Sequence, residues 1–160
     1  DMAVDAQTGS ITFSSDVLFS YNSSTLNTDS KKALKEIIPK YLKVLLQDQY
    51  RPYIAEIIIE GHTDTDGGYA SNMVLSFERA NAVADFCLDS KNGLSKNQIE
   101  ELQEVLTVNG RSYSAPVYKK DRNGNNTTTI DMAASRRVEI KFRLKEDEMI
   151  KKIAEILEQQ

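Results

Sequence analysis

One stretch of the sequence concentrates the side chains that could do chemistry. Residues 57–80 read IIIEGHTDTDGGYASNMVLSFERA and contain the single histidine, His62, followed by Asp64, Asp66 and Arg79. A carboxylate and a guanidinium at one site form a receptor for a ligand that carries both an ammonium and a carboxylate group. We predict such a two-pronged site from Asp64 and Arg79. From the residues alone, an ordinary salt bridge or a solvated arginine explains the pair equally well.

The other chemistries that these residue types allow have weaker support. His62 with Asp64 and Asp66 could bind a metal, but catalytic zinc takes three protein ligands, often more than one histidine. Asp64 and Asp66 could act as paired acids in hydrolysis, yet their polar turn offers no apolar pocket to raise one pKa. The sequence shows no Ser-His-Asp set, Cys-His pair or phosphate-binding loop. We therefore expect no enzyme, no metal site and no cofactor.

Length and composition favour one globular domain. The 160 residues are 40% hydrophobic and 28% charged, and the net charge of −4 argues against a general nucleic-acid binder. No apolar run is long enough for a membrane span, and the opening DMAVDAQTGS is unlike a signal peptide. Two alternatives follow: a cytosolic protein, or a piece of a longer chain whose targeting segment is missing. The one cysteine, Cys87, is expected to be a small buried hydrophobe.

The pattern of apolar residues predicts strands that alternate with helices. Residues 1–10 are predicted as a lead-in or linker, residues 11–145 as one domain, and residues 146–160 as a C-terminal amphipathic helix. The predicted strands lie near residues 11–13, 53–60, 106–109 and 137–144, and the other predicted helices near residues 30–51, 71–89 and 95–104. This order predicts an α/β protein with one helix-covered sheet.

Three local predictions concern the surroundings of the candidate site. The continuous run from Ile57 to Ile59 predicts a central strand buried on both faces. This strand is expected to end at Gly61 in a polar loop, and a helix is expected to begin near Asn72. Residues 112–131 are predicted as a long mobile surface loop, since their polar composition cannot bury enough apolar area to pack alone.

A composite motif extends over about eighty residues of the sequence and resembles that of the OmpA-like peptidoglycan-binding domains. The resemblance covers roughly residues 11–144 and implies a β/α/β/α-β sheet with helices packed on one face. The matching positions are Gly61-His62-Thr63-Asp64, Gly67, Asn72, Leu75-Ser76-x-x-Arg79-Ala80 and Arg136-Arg137-Val138-Glu139-Ile140.

The resemblance also implies a ligand, the diaminopimelate-containing stem peptide of cell-wall peptidoglycan. Asp64 would accept hydrogen bonds from the free ammonium of diaminopimelate, and Arg79 would donate to its free carboxylate. Backbone N–H groups near Thr65 and Asn72 at the helix start are expected to bind further carboxylate oxygens. Leu75 and Asn72 match the loop–helix positions of the family.

The last motif and the ends of the chain bear on the same assignment. Arg136 matches the first arginine of the terminal motif and is expected near the site, whereas Ser135 replaces the usual asparagine. The extended loop over residues 112–131 and the extra C-terminal helix resemble MotB-like stator subunits, which anchor a membrane ion channel to the wall. The implied location is extracytoplasmic, in the periplasm or cell envelope, with attachment through a membrane segment missing from these residues. The alternative is an interaction domain of the same fold that does not bind the wall and forms a homodimer.

Overall fold

The computed structural model describes residues 2–159. Asp1 and Gln160, the outer ends of the predicted lead-in and C-terminal helix, lie outside the described residues. The strands are β1 (Met2–Val4), β2 (Ile11–Ser14), β3 (Ile54–His62), β4 (Leu106–Gly110), β5 (Tyr118–Lys120), β6 (Asn126–Ile130) and β7 (Arg137–Leu144). The helices are α1 (Ser15–Leu18), α2 (Thr28–Leu45), α3 (Tyr69–Leu88), α4 (Lys96–Val105), α5 (Met132–Ser135) and α6 (Asp147–Glu158), with 3-10 turns at Arg51–Tyr53 and Ser90–Asn92.

Five strands form one mixed sheet in the order β1-β2-β7-β3-β4. β7 lies between β2 and β3 and is antiparallel to both, whereas β4 is parallel to β3. β5 and β6 form a separate antiparallel hairpin. This architecture confirms the predicted α/β class with one helix-covered sheet.

The apolar core lies on one face of the sheet. Ile57 and Ile59 are fully buried, whereas Ile58 between them is only partly buried. The predicted burial on both faces holds toward the end of this strand, but the second face is buried there by polar side chains, Glu60 and His62, rather than by an apolar core. The core joins sheet residues to residues of α2, α3 and α4: Ile11, Phe13, Leu34, Ile38, Leu42, Val83, Ile99, Leu102, Val138 and Ile140.

Two segments that the sequence assigned to irregular structure contain strands. β1 falls in the predicted lead-in and pairs with β2, so this segment adds an edge strand to the sheet. The β5–β6 hairpin falls in the predicted loop over residues 112–131. Its turn is closed by Asp121, whose Oδ1 accepts hydrogen bonds from the backbone N–H groups of Asn123 and Asn125, and Gly124 supplies a positive φ of 81°. Backbone pairing and this side-chain turn order a segment that is mostly polar.

Local signals at helix ends and in the core gave mixed results. A capping box of Ser95 and Gln98 stands at the start of α4, in the helix predicted near residues 95–104. α2 continues through Pro39 but ends at Leu45, before the predicted stop at residues 51–52. Cys87 is buried, and burial raises the pKa of its thiol to about 12, which agrees with a structural role. Within residues 2–159, no helix combines the length and the apolar character that crossing a membrane requires.

Two facing glycines bring α3 close to the sheet beside the candidate site. Gly61 of β3 pairs with Gly110 of β4. A Cβ atom on Gly61 would lie 2.0 Å from the backbone oxygen of Ser76, and one on Gly110 would lie 2.7 Å from the backbone nitrogen of Phe77. Only glycine therefore permits this spacing between strand and helix, which fixes the position of the residues on α3 relative to the end of β3.

Replacement of Gly61 by alanine tests this contact. We expect Gly61→Ala to lower the free energy of unfolding by about 3 kcal/mol, because backbone atoms of α3 must move away from the added methyl group. Urea denaturation followed by circular dichroism measures the change. Gly68→Ala serves as the control, since its added Cβ would meet Ser71 Oγ at an ordinary 3.6 Å and should cost about 1 kcal/mol or less. Equal losses in the two variants would contradict the close contact.

Candidate ligand-binding site

A cavity of about 650 Å³ lies at the edge of the sheet where β2 and β3 end and β7 begins. Its wall comes from the segment after β2, the loop after β3, the first turns of α3 and the residue before β7. The lining residues include Asp16, Phe19, Tyr21, Thr63, Asp64, Asp66, Asn72, Leu75, Arg79 and Arg136. Five of the six sequence-predicted site residues thus line one cavity, and Thr65 is the exception.

Asp64 is fixed by two hydrogen bonds that use both carboxylate oxygens. Oδ2 accepts from Nη1 of Arg136 at 2.7 Å, and Oδ1 accepts from the backbone N–H of Asp66 at 2.9 Å. β3 continues through His62, two residues beyond the predicted end at Glu60, so Asp64 follows the strand almost directly. The carboxylate is therefore held at the mouth of the cavity with lone pairs left for a further donor.

Arg136 is bound by two carboxylates at once. Its Nε and Nη2 donate to Asp16 Oδ1 and Oδ2 at 2.9 and 3.0 Å, which is a bidentate pair. The third hydrogen bond, from Nη1, is the one to Asp64. The hydrogen bonds to Asp16 and then Asp64 raise the pKa of Arg136 above its ordinary value, so the guanidinium remains charged.

Arg79 approaches the same cavity from α3 but does not pair with Asp64. Among residues 2–159, its one side-chain hydrogen bond joins Nε to the backbone oxygen of Ser23 at 2.9 Å, and its Cζ lies 5.3 Å from the ring centroid of Phe19. Burial lowers the pKa of Arg79, an effect to which Arg136 adds and which Asp16 and Asp64 oppose. The two terminal guanidinium nitrogens are thus free of protein acceptors in the described part of the chain. The loop–helix salt bridge that the sequence left open is absent there.

Asn72 and Thr65 lie differently from their predicted arrangement. α3 begins at Tyr69, with Gly68 as the N-cap, three residues before the predicted start. The backbone N–H of Asn72 is consequently used inside the helix, where it donates to the oxygen of Gly68, and its side chain donates to the oxygen of Asp66 at 2.7 Å. The N–H groups of the first turn, which have no intrahelical acceptor, belong to residues 69–71. Thr65 Oγ1 donates to the sulfur of Met132.

Ser135 performs a structural task at the position where the sequence motif usually has asparagine. Its hydroxyl is buried, donates to the backbone oxygen of Asp131 at 2.7 Å and accepts from the backbone N–H of Val117 at 3.0 Å. These bonds tie α5 to the segment that enters the β5–β6 hairpin. The hairpin base and Arg136 are therefore held together.

Sequence reasoning missed Asp16 and Tyr21. Asp16 joins the site only because β2 pairs with β7, with Ser14 opposite Arg137. No local signal in the sequence shows this pairing, since the two strands are more than a hundred residues apart. Tyr21 is fully exposed at the cavity rim, in the short loop that the bridge between Phe19 and Leu26 closes. The signal that could have identified Tyr21 is an aromatic side chain in a short closed loop, where it is left exposed to solvent.

A network of charged residues occupies the polar face of the sheet behind the cavity. Glu60 is 3% exposed; its Oε2 lies 2.8 Å from Lys141 Nζ and its Oε1 lies 3.3 Å from Arg111 Nη1. Nε2 of His62 lies 3.1 Å from the same Oε1. Among the described residues, neither ring nitrogen of His62 has a hydrogen bond of good geometry. The contact with His62, and then Lys141, lowers the pKa of Glu60 to about 2 against the opposing effect of burial.

Glu139 completes the network on the neighbouring strand. Its Oε1 accepts from Nε of Arg137 at 2.7 Å, and its Oε2 lies 3.7 Å from His62 Nε2. These two neighbours, His62 first, lower the pKa of Glu139 to about 2 while burial opposes them. Ligand atoms of Glu60, His62 and Glu139 lie within 4.8 Å of one another, a spacing that suits a metal ion. Since cationic side chains already bind both carboxylates, we interpret the cluster as an internal salt-bridge network.

Comparison with known proteins assigns the class of this α/β domain with its charged cavity. The model of the OmpA family matches residues 18–130, and the chain belongs to the OmpA family. The Zorya protein ZorB of Escherichia coli strain Crooks is 35% identical over 162 residues, which cover 96% of this chain and 65% of ZorB. A second ZorB, from Escherichia coli O139:H28, is covered to 54% of its length, so the chain spans between about half and two thirds of these relatives.

Solved structures show the same fold. The periplasmic domain of Helicobacter pylori MotB matches with a TM-score of 0.61 at 21% identity, over 99% of this chain and 89% of that one. The cell wall anchor of the T6SS from Pseudomonas aeruginosa matches with a TM-score of 0.57 at 24% identity, over 90% of this chain and 88% of that one. At these identities the likeness concerns the fold.

The charge network behind the cavity makes acid stability a direct test of its geometry. The ordinary pKa of a glutamate is 4.5, and the folded-state pKa values of Glu60 and Glu139 are about 2. Their stabilisation is therefore complete above about pH 4.5 and is lost as the pH falls toward 2; for Glu60 it is on the order of 3 kcal/mol. We expect Glu60→Gln to be less stable at pH 7 and to lose less stability on acidification.

Urea denaturation at pH values from 7 to 2.5 gives both quantities. Glu36→Gln, which changes an exposed glutamate of α2, is the matched control and should follow the unmodified protein. If Glu60→Gln also followed the unmodified protein at every pH, the network would not stabilise the fold.

Proposed function

We propose that this chain is a non-catalytic module that binds cell-wall peptidoglycan and anchors a membrane protein or complex to the wall. Membership of the OmpA family supports the proposal, as does the shared fold with a cell wall anchor. The observation that carries it is the cavity itself. Asp64 and Arg79 enter this cavity from different elements, do not neutralise each other, and each keep hydrogen-bonding capacity for a ligand.

The ligand that suits this cavity is the diaminopimelate end of the stem peptide. Its free ammonium donates to Asp64, while its free carboxylate accepts from the terminal nitrogens of Arg79. The carboxylate oxygens of the ligand are also attracted to the positive N-terminal end of α3, where the first-turn N–H groups of residues 69–71 are located. The apolar side chains of Phe19 and Leu75 line the cavity and contact the methylene groups between the two charges.

The roles of the site residues in this proposal are binding roles. Asp64 is held by Arg136 and by the N–H of Asp66, so that both of its carboxylate oxygens act as hydrogen-bond acceptors. Asn72 holds the loop through its bond to the oxygen of Asp66, and Arg136 holds Asp64. Thr65 does not line the cavity, and its hydroxyl donates to Met132. No step of this function requires a metal or a cofactor.

We further propose that the module acts outside the cytoplasm, in the periplasm or cell envelope. Its attachment to a membrane would come from a segment outside these 160 residues. The fold shared with the periplasmic domain of MotB supports a stator-like arrangement, in which wall binding holds a membrane ion channel in place. The part of ZorB that this chain does not span is the place to look for such a segment.

Binding to purified peptidoglycan tests the function. We expect Asp64→Asn and Arg79→Lys each to weaken retention on sacculi by a factor of ten or more, because the first removes the negative charge that binds the ammonium and the second removes the paired hydrogen bonds of the guanidinium. Arg79→Lys keeps the positive charge and loses the planar fork, so it separates recognition from simple charge attraction. Co-sedimentation with sacculi that contain diaminopimelate measures the retained fraction.

The controls change equivalent residues away from the cavity. Asp48→Asn and Arg143→Gln remove an exposed aspartate and an exposed arginine, and both should bind as the unmodified protein does. Circular dichroism of every variant verifies the fold. If both site variants were retained on sacculi as well as the unmodified protein, the binding roles of Asp64 and Arg79 would be contradicted.

A second candidate function rests on the exposed apolar face of α6. Ile150, Ile153 and Leu157 are each more than half exposed. An antiparallel pair of these helices centred near Ile153 places Ile150 opposite Leu157, and Lys152 opposite Glu155 of the second copy. The helix is thus complementary to itself in both apolar surface and charge, which favours a homodimer through α6.

Oligomeric state distinguishes this second candidate from a monomeric wall-binding module. We expect the unmodified protein to form a dimer in light scattering and Ile153→Lys to be monomeric, because a charge at the centre of the pairing loses its hydration. Val44→Lys, on the exposed face of α2, is the control and should remain dimeric. A monomer at all concentrations for the unmodified chain would exclude the dimer.

A further inference from the structure

Asp16, Arg136 and Asp64 form a continuous chain of charges along one wall of the cavity. The guanidinium of Arg136 lies between the two carboxylates and donates two hydrogen bonds to Asp16 but one to Asp64. The Asp16 side chain is 52% exposed, whereas that of Asp64 is 14% exposed. Asp64, the more buried carboxylate and the one that faces the ligand, therefore accepts fewer hydrogen bonds from Arg136 than Asp16 does.

This division matters because a carboxylate paired with a fork of two N–H groups is a poorer acceptor for a ligand ammonium. A bidentate guanidinium occupies both carboxylate oxygens and neutralises the charge locally. Asp64 has instead one oxygen bound by a single arginine N–H, and the other bound by an uncharged backbone N–H. Asp16 uses Nε and Nη2 of Arg136, so Asp64 accepts from Nη1 alone.

We propose that Asp16 is a positioning residue that sets the preference of the site for a ligand with a free ammonium group. Asp16 acts through Arg136: it takes the bidentate pair, and Asp64 keeps enough negative charge to bind the ammonium. Without the Asp16 carboxylate, Arg136 turns to Asp64 with two N–H groups, and the site becomes selective for carboxylates alone. This inference rests on the proposed function and identifies the residue that determines its ligand selectivity.

The structural alternative is that Asp16 merely fastens the segment after β2 to the start of β7. The backbone bond from Ser15 N–H to the oxygen of Arg136, at 2.9 Å, already joins these two segments. A fastening role would affect every ligand of the cavity equally, whereas a selectivity role affects only ligands with the ammonium. The two roles are therefore separable by a pair of ligands that differ in this one group.

Isothermal titration calorimetry with two soluble peptides makes this separation. The first peptide is L-alanyl-γ-D-glutamyl-meso-diaminopimelate. The second is the same tripeptide with the free amine of its diaminopimelate residue acetylated. We expect Asp16→Asn to weaken binding of the first peptide by roughly tenfold and to change binding of the second by less than about twofold, since one charged hydrogen bond is lost in only the first case. In an Arg136→Ala background, Asp16→Asn should have no further effect on either peptide.

Each outcome decides between the possibilities. Equal weakening for both peptides, or a further loss in the Arg136→Ala background, would overturn the selectivity role of Asp16 and leave the proposed function intact. Unchanged binding of the first peptide by Asp16→Asn would also overturn it. Absence of binding of either peptide to the unmodified protein would overturn the proposed function, and with it this inference.

Discussion

The position of β7 between β2 and β3 is the constraint on which the candidate site depends. Ser14 at the end of β2 and His62 at the end of β3 both lie opposite Arg137, the first residue of β7. The residues just beyond these strand ends therefore meet at one edge of the sheet. This register brings Asp16 and Asp64 to the two sides of Arg136, although the three residues are far apart in the sequence. The charged wall of the cavity follows from strand pairing rather than from any local motif.

The two faces of the sheet then divide the tasks of stability and site geometry. The apolar face packs against α2, α3 and α4, and the absence of a side chain at Gly61 lets α3 lie close enough to bring Arg79 to the cavity. The polar face carries the network around Glu60 and His62. Both residues lie at the end of β3, just before the loop that contains Asp64. A buried carboxylate with one partner removed is costly. Helix packing on one face and the charge network on the other both hold the end of β3, and this fixes the position of Asp64 just beyond it.

Local patterns predicted the parts of this arrangement that local physics determines. The alternation from Arg137 to Leu144 and the capping box at Ser95 gave a strand and a helix start that the structure confirms. The spacing of Asp64 and Arg79 correctly put both residues at one cavity, because strand, loop and helix are adjacent in sequence. Asp16 was missed since only the pairing of the first and last core strands reveals it. The composition of the polar stretch 112–131 predicts a loop, because backbone pairing between strands leaves little trace in amino-acid composition.

In the proposed function, one cavity binds the two charged groups of diaminopimelate through Asp64 and Arg79. A titration of isotope-labelled protein with the stem tripeptide, followed by nuclear magnetic resonance, tests it most directly. We expect saturable shifts for the Nε–H of Arg79 and for the backbone amides of Asp66 and residues 69–72, with α6 and the β5–β6 hairpin unchanged. Shifts confined to α6 or to the hairpin, or no shifts at saturating peptide, would contradict it.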